Sequence, residues 1–423
     1  MPSAKDVREH RAPGWWRDAK LGIFVHWTPA SVPGFAPTTA EIGELLASRD
    51  PEAMAHSPYT EWYENSLRFP GSPAARHHAE VYGDRPYREF AHDWAAALDG
   101  WDPDDWAARF AATGARYVVL VTKHHDGYCL WPSDVANPQV PGFACARDVV
   151  GELADAVRAH GMRFGVYYSG GLDWTWNDHP IGTFADLLPA QPRGDYPAYA
   201  ASHVRELVTR YHPSVLWNDI SWPESSSRLA TLLGDYYAAV PDGVINDRFL
   251  CWSPAWAVGR TKLAHGLIDR AVARSARNDR GIVPPRPKFY DVRTPEYTTF
   301  EDVQRTPWEC VRGMDHSFGY NRMSSEADFL TRDDLLWSFV DIVAKGGNLL
   351  LNVGPRGEDA KIPDEQLRRL EWLGDFTSEH GDALFDTRPA SDAGANDGDV
   401  RTTVRGDDRF SFRRGSDGIP IRP

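Results

Sequence analysis

The chain predicts an α/β fold built as a (β/α)8-like barrel, and three observations carry that reading. Short apolar runs alternate with amphipathic helix patterns along most of the 423 residues, and such alternation implies a parallel sheet, because each return to the same edge needs a crossover. The count of cassettes is about eight, the number that closes a barrel. No GxGxxG follows the first apolar run, so the dinucleotide-binding form of the main alternative, an open doubly wound sheet, has no support.

The elements follow in order. Leu21–Trp27 (LGIFVHW) is a first strand that runs into polar chemistry. Residues 101–114 carry a helix signal, with Asp102 before Pro103 and a closing Gly114. Arg116–Thr122 (RYVVLVT) reads as a buried strand. Asp148 opens a helix whose one face carries Val150, Leu153 and Val157, stopped by Gly161. Arg163–Ser169 is the third strand, 196–212 a helix, Val215–Asp219 the fourth strand, 225–240 a helix and Val244–Phe249 the fifth strand. Phe289–Tyr297 is the sixth and the seventh lies within 308–321. Thr331 and Asp334 form a capping box for a helix that closes at Gly346–Gly347, and Asn348–Val353 is the eighth strand. A last amphipathic helix follows Pro363. The barrel is therefore expected over residues 1–385, followed by a polar tail, 386–423, with room for a hairpin at most.

Composition narrows the function classes. Sixty acidic residues against 46 basic ones give a net charge of −14, which repels phosphates and argues against nucleic acid and anionic membranes as partners. No apolar run approaches the roughly 20 residues of a membrane span. The charged N-terminus MPSAKDVREHRAPGWW lacks the apolar core of a signal peptide, so a cytoplasmic location is expected. The cysteines at 129, 145, 251 and 310 form no CxxC pair and read as reduced thiols rather than as a zinc site or a disulfide framework. The 17 Trp, 16 Tyr and 18 Phe fit either a large core or stacking on the apolar faces of sugars.

In a barrel of this kind the active site collects at the C-terminal strand ends. Those ends carry His26-Trp27, Lys123-His124-His125-Asp126, Tyr167-Tyr168, Trp217-Asn218-Asp219, Asp247-Arg248 and Glu296. Ordinary strand ends favour small turn-forming residues, so His, Trp and Arg at successive ends point to a site. Asp219 alone is equally well read as a helix cap, and Glu296 alone as a solvated loop residue. A metal site using His26, His124 and Asp126 is a further reading. Against it, neighbours on a strand point to opposite faces unless the pleat breaks, and no HxH or HExxH occurs. Two carboxylates across an aromatic-rich barrel mouth suggest glycoside hydrolysis, one attacking the anomeric carbon while the other protonates the departing oxygen.

The stretches KLGIFVHWTPASVPGFAP, EWYENS, TKHHDGYCLWPS, GVYYSGGLDW, VLWNDISWP, RTPEY, FGYNR and KGGNLLLNVGP, in order along the chain, resemble the α-L-fucosidases of glycoside hydrolase family 29. The resemblance implies a retaining exo-glycosidase that removes terminal α-L-fucose from fucosylated glycans or glycosides through a covalent fucosyl-enzyme. It places the nucleophile on Asp219 and the acid/base on Glu296. Sugar-binding roles fall on His26, Glu61, Trp62, His124, His125, Tyr167, Trp217 and Arg248. No metal or organic cofactor is implied, and a homo-oligomer is compatible with it. A catalytically decayed sugar-binding protein is the non-enzyme alternative. Two departures from the family pattern stand out. Residues 250–287 form an Arg-rich divergent insert, read as a lid or a subunit contact. The tail 386–423 stands where the family's full β-sandwich is expected, as a remnant or a truncated product.

Overall fold

The structure, a computed structural model, describes residues 4–48, 50–251, 261–277, 281–390, 396, 398–415 and 421–422. Parts of the insert (252–260 and 278–280) and of the tail therefore lie outside the described residues. Seven parallel strands form the main sheet: β1 (Leu21–Val25), β2 (Tyr117–Lys123), β3 (Arg163–Ser169), β4 (Val215–Asp219), β5 (Val244–Ile245), β6 (Trp308–Arg312) and β7 (Gly347–Val353). Their spatial order is β5-β4-β3-β2-β1-β7-β6. Every residue of β1, β2 and β7 is buried, as expected of parallel strands covered by helices.

The gap between β5 and β6 is filled by an extended segment, residues 291–297, which is the sixth strand of the sequence reading without a full ladder. On one side Asp291 N donates to Ile245 O at 3.1 Å. On the other, Arg293 N reaches Pro307 O at 2.9 Å and Tyr297 N reaches Val311 O at 2.9 Å. Counted with this segment there are eight strand positions, the curled seven-stranded sheet and one irregular stretch bonded to both of its edges. The fifth strand is shorter than Val244–Phe249 because side chains take over its pairing. Asn246 Oδ1 accepts from Asn218 N, and Asn246 Nδ2 donates to Asn218 O. Asn218 Nδ2 in turn holds the Arg248 carbonyl at 2.8 Å.

The Asp102 and Asp148 caps form as read, whereas the Thr331–Asp334 box forms only in half, because the Asp334 carboxylate takes the Thr331 hydroxyl instead of the Thr331 amide. Asp102 accepts from the Asp104 and Asp105 amides ahead of helix Pro103–Ala112. Asp148 accepts from Gly151 N ahead of helix Val149–Ala159. Thr331 accepts from Asp334 N ahead of helix Arg332–Ala344. Beyond helix Asp364–Leu384, an antiparallel sheet is built from β8 (Arg388–Pro389), β9 (Val400–Arg405), β10 (Asp408–Arg413) and β11 (Ile421–Arg422). The hairpin β9–β10 sits on the barrel, since Phe412 is buried in its main hydrophobic cluster and Thr403 Oγ1 donates to Ala383 O. Among the described residues no helix is long and apolar enough to cross a membrane.

Candidate active site

The C-terminal strand ends open into a cavity of about 560 Å3. Asp219 and Glu296 line it, together with His26, Glu61, Trp62, His124, His125, Tyr167, Trp217 and Arg248. Asp219 is the last residue of β4. Its Oδ2 accepts from the Tyr167 hydroxyl at 2.8 Å and its Oδ1 from Ile220 N at 2.7 Å. It caps no helix, because the following helix Ser226–Ala239 has Ser225 at its cap. Glu296 is buried rather than solvated. Its Oε1 accepts from Tyr59 OH at 2.8 Å and its Oε2 from Arg248 at 2.9 Å.

Arg248 ties the pair together. One guanidinium nitrogen lies 3.4 Å from Asp219 and another 2.9 Å from Glu296, while the guanidinium stands over the Trp217 ring at 5.2 Å. Burial pushes the Asp219 carboxyl upward and the Glu296 charge adds to this, while Arg248 and the Tyr167 hydroxyl act in the opposite direction by favouring the carboxylate.

The backbone at both carboxylates is tightly determined. Glu296 N and O both pair with Ile282, at 2.8 and 2.9 Å, so the far end of the insert holds the carboxylate's strand directly. Ile220 and Tyr297, the residues that follow the two carboxylates, have φ of 64° and 54°. Left-handed backbone at a β-branched and an aromatic residue costs roughly 1–3 kcal/mol each and persists only where the surroundings impose it. Gly170 in the SGG turn after β3 lets the β4 loop approach, since a Cβ there would collide with Asn218 Oδ1 and Trp222.

His124 and His125 both face the cavity, with ring centroids 4.1 Å apart. The pleat does break, because the β2–β3 register shifts between Val121 and Lys123. The tautomers of two histidines follow from their partners. Ser169 Oγ donates to Leu172 O, so it can only accept from His125 Nδ1 at 2.7 Å. Asn352 Nδ2 donates to Phe318 O, so its Oδ1 accepts from His26 Nδ1. Burial lowers the His26 imidazole to about 3 and pushes His124 and His125 well down. With Nδ1 protonated and the ring neutral, His26 and His125 keep an Nε2 lone pair, an acceptor suited to a hydroxyl. Tyr167 stacks between His124 and Trp217, with centroids at 5.4 Å from each. Burial raises Glu61 to about 7 although Thr60 and Ser317 hydroxyls reach its Oε2.

Asp126 does not join this group. Its carboxylate takes the Tyr87 hydroxyl and Tyr128 N, so the His26–His124–Asp126 metal set is not assembled. A different trio, His124, His125 and Asp219, has candidate ligand atoms within 4.8 Å of one another.

Sequence reasoning missed the residues that orient the others: Tyr59 on Glu296, Ser169 on His125, Asn352 on His26, and Glu309. The last is buried and accepts from Trp217 Nε1 at 3.1 Å and Tyr117 OH at 2.8 Å. A signal existed for Tyr59, two residues ahead of Glu61 in YTEWY. Asn352 lies 326 residues from the His26 it orients, and no local pattern marks it.

A barrel whose mouth holds two carboxylates bridged by an arginine, among indole, phenol and imidazole rings, has the architecture of a glycoside hydrolase. The chain belongs to the α-L-fucosidase family, whose model matches residues 1–382. It is 30% identical to the tissue α-L-fucosidase of Bos taurus over 387 residues, which are 89% of this chain and 69% of that protein. It is 26% identical to the α-L-fucosidase of Dictyostelium discoideum over 400 residues, 92% of this chain and 74% of that one. Among solved structures, the Thermotoga maritima α-fucosidase in complex with a mechanism-based inhibitor superimposes with a TM-score of 0.80 at 37% identity, covering 98% of this chain and 86% of that one.

Proposed function

We propose that this fucose-releasing glycosidase is a retaining exo-enzyme that works by double displacement. Asp219 attacks the anomeric carbon as the glycosidic C–O bond breaks, and Glu296 gives its proton to the departing oxygen. Water then loses a proton to Glu296, attacks the same carbon, and frees both fucose and Asp219 with net retention. The observation that carries this reading is the single Arg248 guanidinium touching both carboxylates. That contact favours the closer of the two spacings used in glycoside hydrolysis, roughly 5–5.5 Å for retention against 6.5–9.5 Å for inversion. The neutral His26 and His125 offer acceptors to the hydroxyls of the fucosyl ring, and Phe24, Trp217 and Phe318 offer apolar surface to its methyl group.

The test is hydrolysis of an aryl α-L-fucoside followed by NMR. The first-formed sugar should be the α anomer. A β anomer would replace retention by inversion, and absence of turnover would leave a sugar-binding protein. The trio His124–His125–Asp219 favours a second reading, a cation-assisted hydrolase. Activity that survives exhaustive chelation removes it.

A further inference from the structure

The cavity has a second half that the chemistry above does not use. Residues of the strand ends are polar or aromatic, whereas the loops standing above them contribute an aliphatic wall. Ile42 and Leu46 come from helix Ile42–Ser48, Met54 from the turn Ala53–His56, and Leu187 from helix Leu187–Ala190. Ile268 and Val272 come from helix Lys262–Arg277, the described core of the divergent insert. That helix is docked rather than loose. Asp269 Oδ1 accepts from Ala185 N at 3.0 Å and His265 lies 3.6 Å from Asp186.

Polar side chains on this side are few. Gln191 Nε2 donates to Ser221 Oγ at 2.8 Å, and these are the polar side chains that the 181–191 segment and the loop after β4 bring to the cavity among the described residues. Val283, next to the Ile282 that pairs with Glu296, turns a side chain toward the cavity while 37% exposed. The acid has to reach the glycosidic oxygen, so the leaving group passes beside Glu296, where Ile282 and Val283 of the same insert line the cavity. A second sugar there would surrender hydroxyl hydration to a surface with few partners, while a hydrocarbon loses nothing.

We infer that the leaving-group subsite selects fucosides of apolar alcohols over fucosylated oligosaccharides. This rests on the glycosidase reading for its catalytic test, but the wall can also be probed by binding alone. Methyl, butyl and hexyl α-L-fucosides share one kind of leaving oxygen, so differences among them report contact rather than acidity. The expected kcat/KM rises about 10-fold or more from methyl to hexyl, since each buried methylene is worth a few-fold. The hexyl compound should also exceed a fucosyl disaccharide. Ile268→Asp and Val272→Asp should pull the hexyl-to-methyl ratio toward one, while Ile268→Leu should keep it. A flat alkyl series, or a disaccharide used better than the hexyl fucoside, overturns the inference. Calorimetry with the Asp219→Ala protein separates the two failures. Tighter hexyl than methyl binding supports the wall even if no fucoside is turned over, and equal affinities discard it while leaving the glycosidase reading intact.

Discussion

The strand-end half and the loop half of the cavity face the same space but are held by different forces. Asp219, Glu296, His26 and His125 each have at least one directional bond to a neighbour that fixes an atom's position or a ring's tautomer. Ile42, Leu46, Ile268 and Val272 have only packing to hold them, and packing tolerates shape changes that a hydrogen bond does not. Differential binding of a transition state needs atoms placed to a fraction of an ångström, so the first kind of construction belongs where bonds break. The second kind suits a partner recognised by surface rather than by atom. The comparison predicts that substitutions of the two carboxylates act on kcat by orders of magnitude, while substitutions on the loops act on substrate preference by about tenfold.

The largest expected effect is at Asp219. Asp219→Ala should fold, because the carboxylate caps no helix, and should lose on the order of 10³–10⁵ in turnover once the covalent route is closed. Azide should restore part of the activity and yield a fucosyl azide of β configuration, identified by NMR. Near wild-type rates in this variant would sink the assignment and the strand-end half with it.

Glu296 comes next and divides the two halves most sharply. Glu296→Ala should cost on the order of 10²–10⁴ for alkyl fucosides, whose leaving oxygen needs a proton, and far less for activated aryl fucosides. With the activated substrate the second step becomes limiting and a burst of released aryl alcohol should appear in stopped flow. Equal losses for both substrate types would move the role elsewhere, and Glu61, a second buried glutamate on the cavity, would be tested first.

How far the sequence reveals each half follows from the same physics. Strand ends are legible because a buried parallel strand announces itself by β-branched runs, and the residue that ends the run is then placed at the barrel mouth; VLWND and RYVVLVTKHH are read this way. Orienting residues are not, because Ser169, Asn352 and Glu309 are ordinary polar residues until the fold brings them against His125, His26 and Trp217. The aliphatic wall is hidden for another reason. Ile268 and Val272 sit in an Arg-rich stretch read as a lid or a subunit contact, and only its docking on the 184–186 turn shows which face is apolar. The sixth barrel position was legible as an extended stretch, while its loss of a full ladder depends on contacts with Ile245 and Val311 made far away in sequence.

Beneath the strand ends, Glu309 tests whether directional construction continues into the barrel. Burial lifts its carboxyl from 4.5 to about 7. A folded-state value above the unfolded one means that the native protein holds a proton the unfolded chain has lost. Stability from this group is therefore complete below about pH 4.5 and declines as pH rises to about 7. The decline is on the order of 3 kcal/mol, and the contribution is level beyond pH 7. Glu309→Gln keeps the shape of the protonated acid and cannot ionise. Urea unfolding at pH 5 and pH 7.5 should show a smaller pH difference in the variant than in the wild type. Identical differences would show that Glu309 is not the group responsible.

The smallest effect expected at a strand end is at Ser169, and it is the closest test of the boundary between the halves. Ser169 Oγ accepts from His125 Nδ1 and donates its own proton to Leu172 O, and this relay favours the tautomer whose Nε2 faces the cavity as an acceptor. Ser169→Ala removes the lock without opening a large hole. His125 then divides between two tautomers, and only one accepts from a sugar hydroxyl. The cost of losing one such bond, about 1 kcal/mol, is roughly a 5-fold rise in KM for an aryl fucoside. Because the change lies on the sugar side, the ratio of hexyl to methyl fucoside turnover should stay as it is in the wild type. A Ser169→Ala protein in which that ratio shifts while KM holds steady would mean that the two halves are coupled through His125, and the division drawn between them would fail.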